Sequence, residues 1–333
     1  MSGQRRMYVG VESGAVVLAE RDGHWEQETT LLEGRSVHAL RVARMKGLMY
    51  AGLDDGVYVS GDSGRSWDRT FEYGNSTLWT LDADPLRPET AYIGLDPVQL
   101  YRSRDAGDSW EEVEALRRQP ESVRQNWWFP VYPHDGHVKY LHVDPRDGDR
   151  IYLAIEHGGI MRTDDGGRTW EDLCDGFENL DLHFVMTHPT QENVVYACGA
   201  RGVHRSEDFG HDWVRTEDGG SYDNTGGFAI SPGQRATFYM TASRGTPPAW
   251  TRPTGAESSV FRSNDDGLTW QLLTGLPSSI KTEYAGLMVD PVDPNRVYLH
   301  GDAKIWGSAD RGDTWTVLYK SDTVAQLFAV EAS

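Results

Sequence analysis

Ser60-Gly61-Asp62-Ser63-Gly64-Arg65-Ser66-Trp67 is one of six versions of a single eight-residue pattern. The others are Ser103–Trp110, Thr163–Trp170, Ser206–Trp213, Ser263–Trp270 and Ser308–Trp315. Together they read Ser/Thr-x-Asp-x-Gly-x-Ser/Thr-Trp, with Asp212 in place of the second hydroxyl. An Asp followed two positions later by Gly is turn chemistry: the carboxylate accepts backbone N–H groups, and Gly takes a positive φ that other residues avoid. Alternating residues precede each copy, as in Val57-Tyr58-Val59 and Ile160-Met161-Arg162, and more strand-like residues follow, as in Trp110-Glu111-Glu112-Val113. Each copy is therefore expected to be a hairpin turn whose Trp opens the outgoing strand and covers a core.

Spacing turns the pattern into an architecture. A degenerate seventh copy, Arg21-Asp22-Gly23-His24-Trp25, precedes the six, and the steps from Trp to Trp are 42, 43, 60, 43, 57 and 45 residues. Steps near the shorter lengths fit one four-stranded propeller blade; the two long ones mark blades with insertions. A second marker agrees. Pro85, Pro145, Pro189, Pro232 and Pro291 each lie seven residues before a Tyr (Tyr92, Tyr152, Tyr196, Tyr239, Tyr298), closing an inner strand such as Leu141-His142-Val143-Asp144. The chain starts at a second strand (Tyr8-Val9-Gly10-Val11) and finishes with Val324–Val330, which reads as an inner strand without a blade. Pairing the two closes the ring and removes its edges. The expectation is an all-β, seven-bladed β-propeller formed by residues 1–333 as a single domain, closed by a C-terminal strand in the N-terminal blade.

The repeated turn resembles the Asp-box, the bacterial neuraminidase or sialidase-type repeat, over nearly the whole chain. That resemblance implies a propeller whose boxes are structural turns on the rim away from the ligand. Sialidases also need three arginines, an Asp acid/base and a Tyr–Glu pair, with the first Arg in an Arg-Ile-Pro tripeptide that this sequence lacks. Thr251-Arg252-Pro253 is late and without the Ile, and Arg35, Arg201 and Arg244 show no triad spacing. Propeller xyloglucan hydrolases share the repeat but pair two propellers across a cleft. Photosystem II assembly factors are single propellers of this size that act as binding scaffolds.

Composition narrows the class. The formal net charge is −19, and only five of the 32 basic residues are Lys. Strong acidity with Arg far above Lys fits a proteome adapted to high salt, or an ordinary acidic soluble protein. Such a field disfavours nucleic acid, whose phosphates require clustered cations. Cys174 and Cys198 have no metal-type spacing and indicate no disulfide framework. The N-terminus has no apolar signal core, and no apolar run reaches membrane-spanning length, so the expectation is a cytoplasmic protein with no membrane partner.

With boxes and Pro turns on one face, function is sought on the other. Two insertions belong there: about 119–136, with Trp127, Trp128 and His134, and about 243–259, with Arg244, Trp250 and Arg252. Loops on a rigid scaffold are where binding residues concentrate. Four residues after the blade Tyr stand Glu12, Asp54, Asp96, Glu156, Ala200, Ser243 and Asp302. This ring of acids could bind a cation or sugar hydroxyls, or simply suit turn entries. Glu156 stands out beside His157 and after the first insertion. His134, His137, His157 and His183 map to the same face, with Lys139 inside the inner strand and His38 in the column of Lys139 and His183.

Two readings stay open. In one, the chain is a glycosyl hydrolase-type protein or lyase acting on a carbohydrate or other small molecule in the central mouth. Its expected catalytic residues are Glu156, His183 and His137; its expected ligand-binding residues are Lys139, His157, Tyr222, Arg244, Trp250, Trp128 and His38. A divalent metal at His134, His137, His157 and His183 is considered and not favoured. In the other, the chain is a non-catalytic scaffold for a protein partner. The discriminating feature is whether Trp127, Trp128 and Trp250 roof a concave pocket or stand outward as an apolar patch.

Overall fold

A computed structural model describes residues 5–216, 222, 224–231, 236–277, 280, 282–323 and 326–332. These form seven four-stranded antiparallel sheets, the blades of a β-propeller. Blade two runs Val37–Val42, Met49–Leu53, Gly56–Ser60 and Asp68–Phe71 from the inside outward. Blade four runs His137–Val143, Ile151–Glu156, Gly159–Thr163 and Glu171–Asp172. The closing strand Gln326–Ala332 pairs antiparallel with Arg5–Val11, with Met7 opposite Val330 and Tyr8 opposite Ala329, so the ring closes as the sequence implied. Val324, Ala325 and Pro232 lie outside the described residues.

The apolar residues form clusters, each bridging two consecutive blades. Tyr92, Leu100, Val138 and Leu153 join blades three and four; Ile160, Leu182 and Val195 join four and five; Met7, Val16, Tyr298 and Ile305 join seven and one. A two-sided hydrophobic sheet can bury both faces in this way only between neighbours, which drives the ring shut.

The repeated turns behave as their chemistry demands. Ser60 Oγ donates to Asp62 Oδ1 (2.9 Å) and accepts the Gly64 N–H (2.8 Å). Asp62 accepts the Ser66 N–H at Oδ1 (2.9 Å) and the Ser66 hydroxyl at Oδ2 (2.7 Å). Asp212 keeps the N–H bond to Asp208 (2.9 Å) but has no hydroxyl to give. Two consecutive residues, Ser63 (φ 65°) and Gly64 (φ 84°), are left-handed, where the sequence pattern pointed only to the Gly. The outgoing strand starts one residue after the Trp, at Asp68 in blade two.

The blade tyrosines explain why the two markers recur together. Tyr152 and Tyr196 are fully buried, and their hydroxyls donate to Phe209 O (3.2 Å) and Asp266 O (2.8 Å), each a carbonyl inside the next blade's repeated turn. Among the described residues, five repeated turns are also bonded to the turn between the first two strands of their own blade, as in Ser63 N–H to Gly47 O (2.9 Å) and Gly166 N–H to Asp149 O (2.9 Å). Both turn sets therefore share one face.

The insertions lie at the other. The first occupies 113–136, earlier than expected, because two short helices, Glu114–Arg117 and Glu121–Arg124, pack Leu116 and Val123 onto the core of blades three and four. The second spans 244–258 around a short 3-10 turn, Pro247–Thr251.

Candidate functional site

Every blade's inner strand carries a one-residue irregularity near its ligand-face end. In blade four, Val138 pairs with Ile155 and Tyr140 with Ala154, leaving Lys139 unpaired. The same count leaves His38 unpaired in blade two, Trp79 in three, His183 in five, Gly226 in six and Phe328 in the closing strand. A bulge adds a residue on one strand and re-aims its side chain. Here it turns one residue per blade toward the channel, and the column His38, Lys139, His183 is this bulge column.

The acid column answers it. Asp54 Oδ1 meets His38 Nε2 at 2.5 Å, Asp96 Oδ2 accepts Trp79 Nε1 at 3.3 Å, and Glu156 Oε2 pairs with Lys139 Nζ at 2.9 Å. Each carboxylate thus fixes the bulged residue of its own blade. In blades two and three this bonding is structural.

Blades four to seven depart from that regularity. Glu156, Asp181, His183, His157, Lys139 and Glu283 face a cavity of about 470 Å³. Phe129, Pro130 and Val131 from the first insertion and Thr246, Pro247 and Pro248 from the second complete its lining. That volume is within the ~300–1,000 Å³ range of small-molecule sites. His137 Nε2 donates to Glu156 Oε2 at 2.5 Å, while Trp79 stacks on the His137 ring at 3.7 Å and 14°. His183 Nδ1 donates to Thr225 O at 2.7 Å, which turns Nε2 toward Asp181 Oδ1 (3.2 Å) and Glu156 Oε1 (3.9 Å). His157 Nε2 stands 3.6 Å from the same Asp181 oxygen, on a residue held at φ 57°. Positive φ on a non-glycine residue costs about 1 kcal/mol or more and occurs where surroundings enforce it.

Two carboxyls in this cavity are pushed apart. Burial works to raise Glu156, but the His137 bond and the charges of Lys139 and His183 hold it at about 2. Burial raises Glu283, and the Glu156 charge adds to it against His183 and Lys139. Burial pulls His183 down, yet the Asp181 bond and charge leave it raised. The site therefore contains a firm anion and a carboxyl disposed to keep its proton, the arrangement acid–base chemistry requires. Glu156, Asp181 and His183 also present ligand atoms within 4.8 Å of one another.

Of the residues singled out from sequence, the structure gathers Glu156, His183, His157 and Lys139 in the cavity, with His137 directly behind Glu156. His38 lines the central channel, which also includes Lys139, and is engaged by Asp54. His134 is exposed on the insertion, bonded through Nδ1 to Phe129 O (3.0 Å) and stacked on Trp128, so it stands apart from the other histidines. Tyr222 and Arg244 form a separate stack, with the guanidinium 4.8 Å from the ring centre and Tyr222 against Phe261. Trp250 donates to Gly245 O (2.9 Å). Trp127 packs into the core and Trp128 points outward, so Phe129 and the prolines supply the roof. Asp181 and Glu283 were missed. They share a column with His137 and Asn224, four residues before the core residue of each inner strand, and that column was the available signal.

No known family's model matches the chain. Among curated proteins it is similar to a xyloglucanase of Paenibacillus sp., 24% identical over 329 residues, covering 83% of this chain and 30% of the relative. A probable oligoxyloglucan-reducing end-specific xyloglucanase of Neosartorya fischeri is 27% identical over 195 residues, covering 56% of this chain and 22% of its own length. The chain thus spans less than a third of these relatives. Among solved structures, a GH74 xyloglucanase from Xanthomonas campestris superposes with TM-score 0.67 at 18% identity, over 98% of this chain and 52% of that one. YCF48 bound to a D1 peptide gives 0.58 at 17%, over 85% and 81%. At these identities the likeness is one of fold.

Proposed function

We propose that this propeller is a hydrolase for a small carbohydrate-type ligand bound in the cavity of blades four to seven. The observation that carries the reading is the convergence of three carboxyls, two histidines and one lysine beneath both insertions. Such convergence in a roofed, partly apolar cavity is the mark of a small-molecule site. In this reading Glu283 gives its proton to the leaving oxygen as the C–O bond breaks. A water held at the opposite wall, where Glu156, Asp181 and His183 meet, adds its hydroxyl to the carbon and leaves its proton on that wall. Lys139 and Asn224 orient ligand hydroxyls. The distant relatives named as xyloglucanases support the carbohydrate class.

The test is release of product from a panel of aryl glycosides and short oligosaccharides, xyloglucan fragments included. Turnover lost in Glu283→Gln with unchanged melting temperature supports the reading. Absence of turnover across the panel removes it.

A second reading has its own observation. Trp128, Val131 and Tyr132 are 53%, 60% and 85% exposed at the tip of the first insertion. An apolar tip beside a mouth suits a peptide partner, and one structural neighbour is a peptide complex. Peptide binding lost in Tyr132→Ser, with no glycoside turnover in the parent protein, would favour this scaffold.

A further inference from the structure

We infer that the wall formed by Asp181, His183 and Glu156 is a binding site for one divalent transition-metal ion. The inference rests on the cavity being a ligand site and adds a cofactor to it.

The distances among the wall's ligand atoms are compatible with a shared ion as well as with the hydrogen bond between His183 and Asp181. Asp181 Oδ1 lies 3.2 Å from His183 Nε2 and 3.6 Å from His157 Nε2, and His183 Nε2 lies 3.9 Å from Glu156 Oε1. Charge-assisted hydrogen bonds close to ~2.7–2.9 Å. Ligand atoms at ~2.0–2.2 Å from a tetrahedral ion stand ~3.3–3.6 Å apart. Glu156, Asp181 and His183 each bring a ligand atom within 4.8 Å of the other two, one imidazole nitrogen with two carboxylate oxygens, a combination suited to zinc, cobalt, iron or manganese.

The atoms behind the set are arranged to hold it. His183 donates Nδ1–H to the Thr225 carbonyl (2.7 Å), so that Nε2 would give its lone pair to an ion in place of its present bond to Asp181 Oδ1 (3.2 Å). Glu156 Oε2 is occupied by His137 (2.5 Å) and Lys139 (2.9 Å), which leaves Oε1 toward His183. The Asp181 N–H is tied to Asn179 Oδ1 (2.8 Å), fixing the residue that bridges both histidines. Outer partners of this kind orient first ligands in metal sites. Charge points the same way: the cavity's described lining has three carboxyls and Lys139 as its only Lys or Arg. A dication restores the balance that buried anions need. With three ligand residues at the cavity wall, a fourth position would remain for water or ligand. Glu156, Asp181 and His183 would hold the ion, and its charge would acidify a nearby water, whose proton would pass to solvent.

The test uses the full chain, stripped with chelator and titrated with Zn²⁺ or Co²⁺ alone. Metal content by mass spectrometry and the visible absorption of Co²⁺ are the readouts. One ion per chain is expected, with affinity falling at least ~100-fold in the Asp181→Ala/His183→Ala double variant and ~10–100-fold in His137→Phe, which keeps the stack on Trp79. Asp181→Asn, which preserves shape, answers the question if the double variant does not fold. Uptake that is absent in the parent chain, or persists undiminished in Asp181→Asn, overturns the inference. Metal bound without turnover of the glycoside panel removes the hydrolase reading alone. Full-rate turnover by protein shown to be metal-free overturns the metal's role and leaves the hydrolase reading standing.

Discussion

His137 and Glu156 stand directly opposite one another on the first two strands of blade four, and their side chains meet at 2.5 Å. The pair ties the ring's repeating device to its one irregular region. Elsewhere the same column of acids fixes a bulged residue; here the carboxylate also carries Lys139 and turns its second oxygen to His183. Replacing Glu156 with Gln keeps the shape but removes the charge that balances Lys139. Glu156→Gln is expected to lower turnover at least ~100-fold and also to lower the melting temperature, because Lys139 loses its carboxylate, so kinetics are read beside thermal unfolding at a temperature where the variant is folded.

Gly226 offers a test that leaves every ionisable group intact. A β-carbon there would overlap Glu283 Oε2 and crowd Tyr284 O, so Gly226→Ala must displace the Glu283 carboxyl. The expected outcome is a ~10-fold or greater loss in kcat with some loss of stability, since the Tyr284 carbonyl is backbone and must also shift. Full activity in Gly226→Ala would show that Glu283 does not need its present position.

Acid should loosen the ring before it reaches the repeated turns. His300 Nδ1 accepts the Leu327 N–H (3.0 Å), joining blade seven to the closing strand, and His204 is buried in blade five. Burial pulls both histidines down to about 4. Their ordinary value is higher, so the unfolded chain takes up protons first as pH falls. The contribution is whole above ~6.5 and declines to ~4, by about 1.4 kcal/mol per pH unit for each group. Urea unfolding at pH 7.5, 6 and 5 should show this slope, and His300→Gln should remove one group's share.

The turns follow at lower pH. Asp165 is held at about 2: burial works slightly against it, but the Thr169 and Thr163 bonds and the Arg168 N–H outweigh that. A depressed carboxyl stabilises above its unfolded value and loses that stability as pH falls toward the folded one, here between ~4 and ~2. A second acid transition in that window, shifted by Asp165→Asn, is expected in the same titration.

The link between blades is also measurable. Tyr196 donates to Asp266 O across the interface of blades five and six. Tyr196→Phe leaves that carbonyl without its partner and should cost about 1 kcal/mol in denaturant unfolding. A neutral substitution would mean that apolar packing alone joins the blades.

The fold was legible because the ring repeats its devices: turn, Pro and Tyr recur in register, and each marks one contact made once per blade. Ring closure followed from the unpaired strands at the two ends. The site was legible only in part. Glu156, His183 and Lys139 fall in columns that alignment on the Tyr exposes. Asp181 and Glu283 sit two residues earlier, and a one-residue bulge between the columns breaks the period of two on which strand reading depends. The insertions misled in another way. Their tryptophans looked like a roof, yet a Trp next to a helix that packs on the core is drawn into that core, as Trp127 is, and leaves the roof to Phe129 and the prolines.

The most direct test of the account is a crystal structure of the Glu283→Gln protein soaked with xyloglucan-derived oligosaccharides. Sugar density between Lys139, Asn224 and the Phe129–Pro248 roof is the predicted result. Density confined to the outward-facing Trp128 and Tyr132, or to the face of the repeated turns, would contradict it.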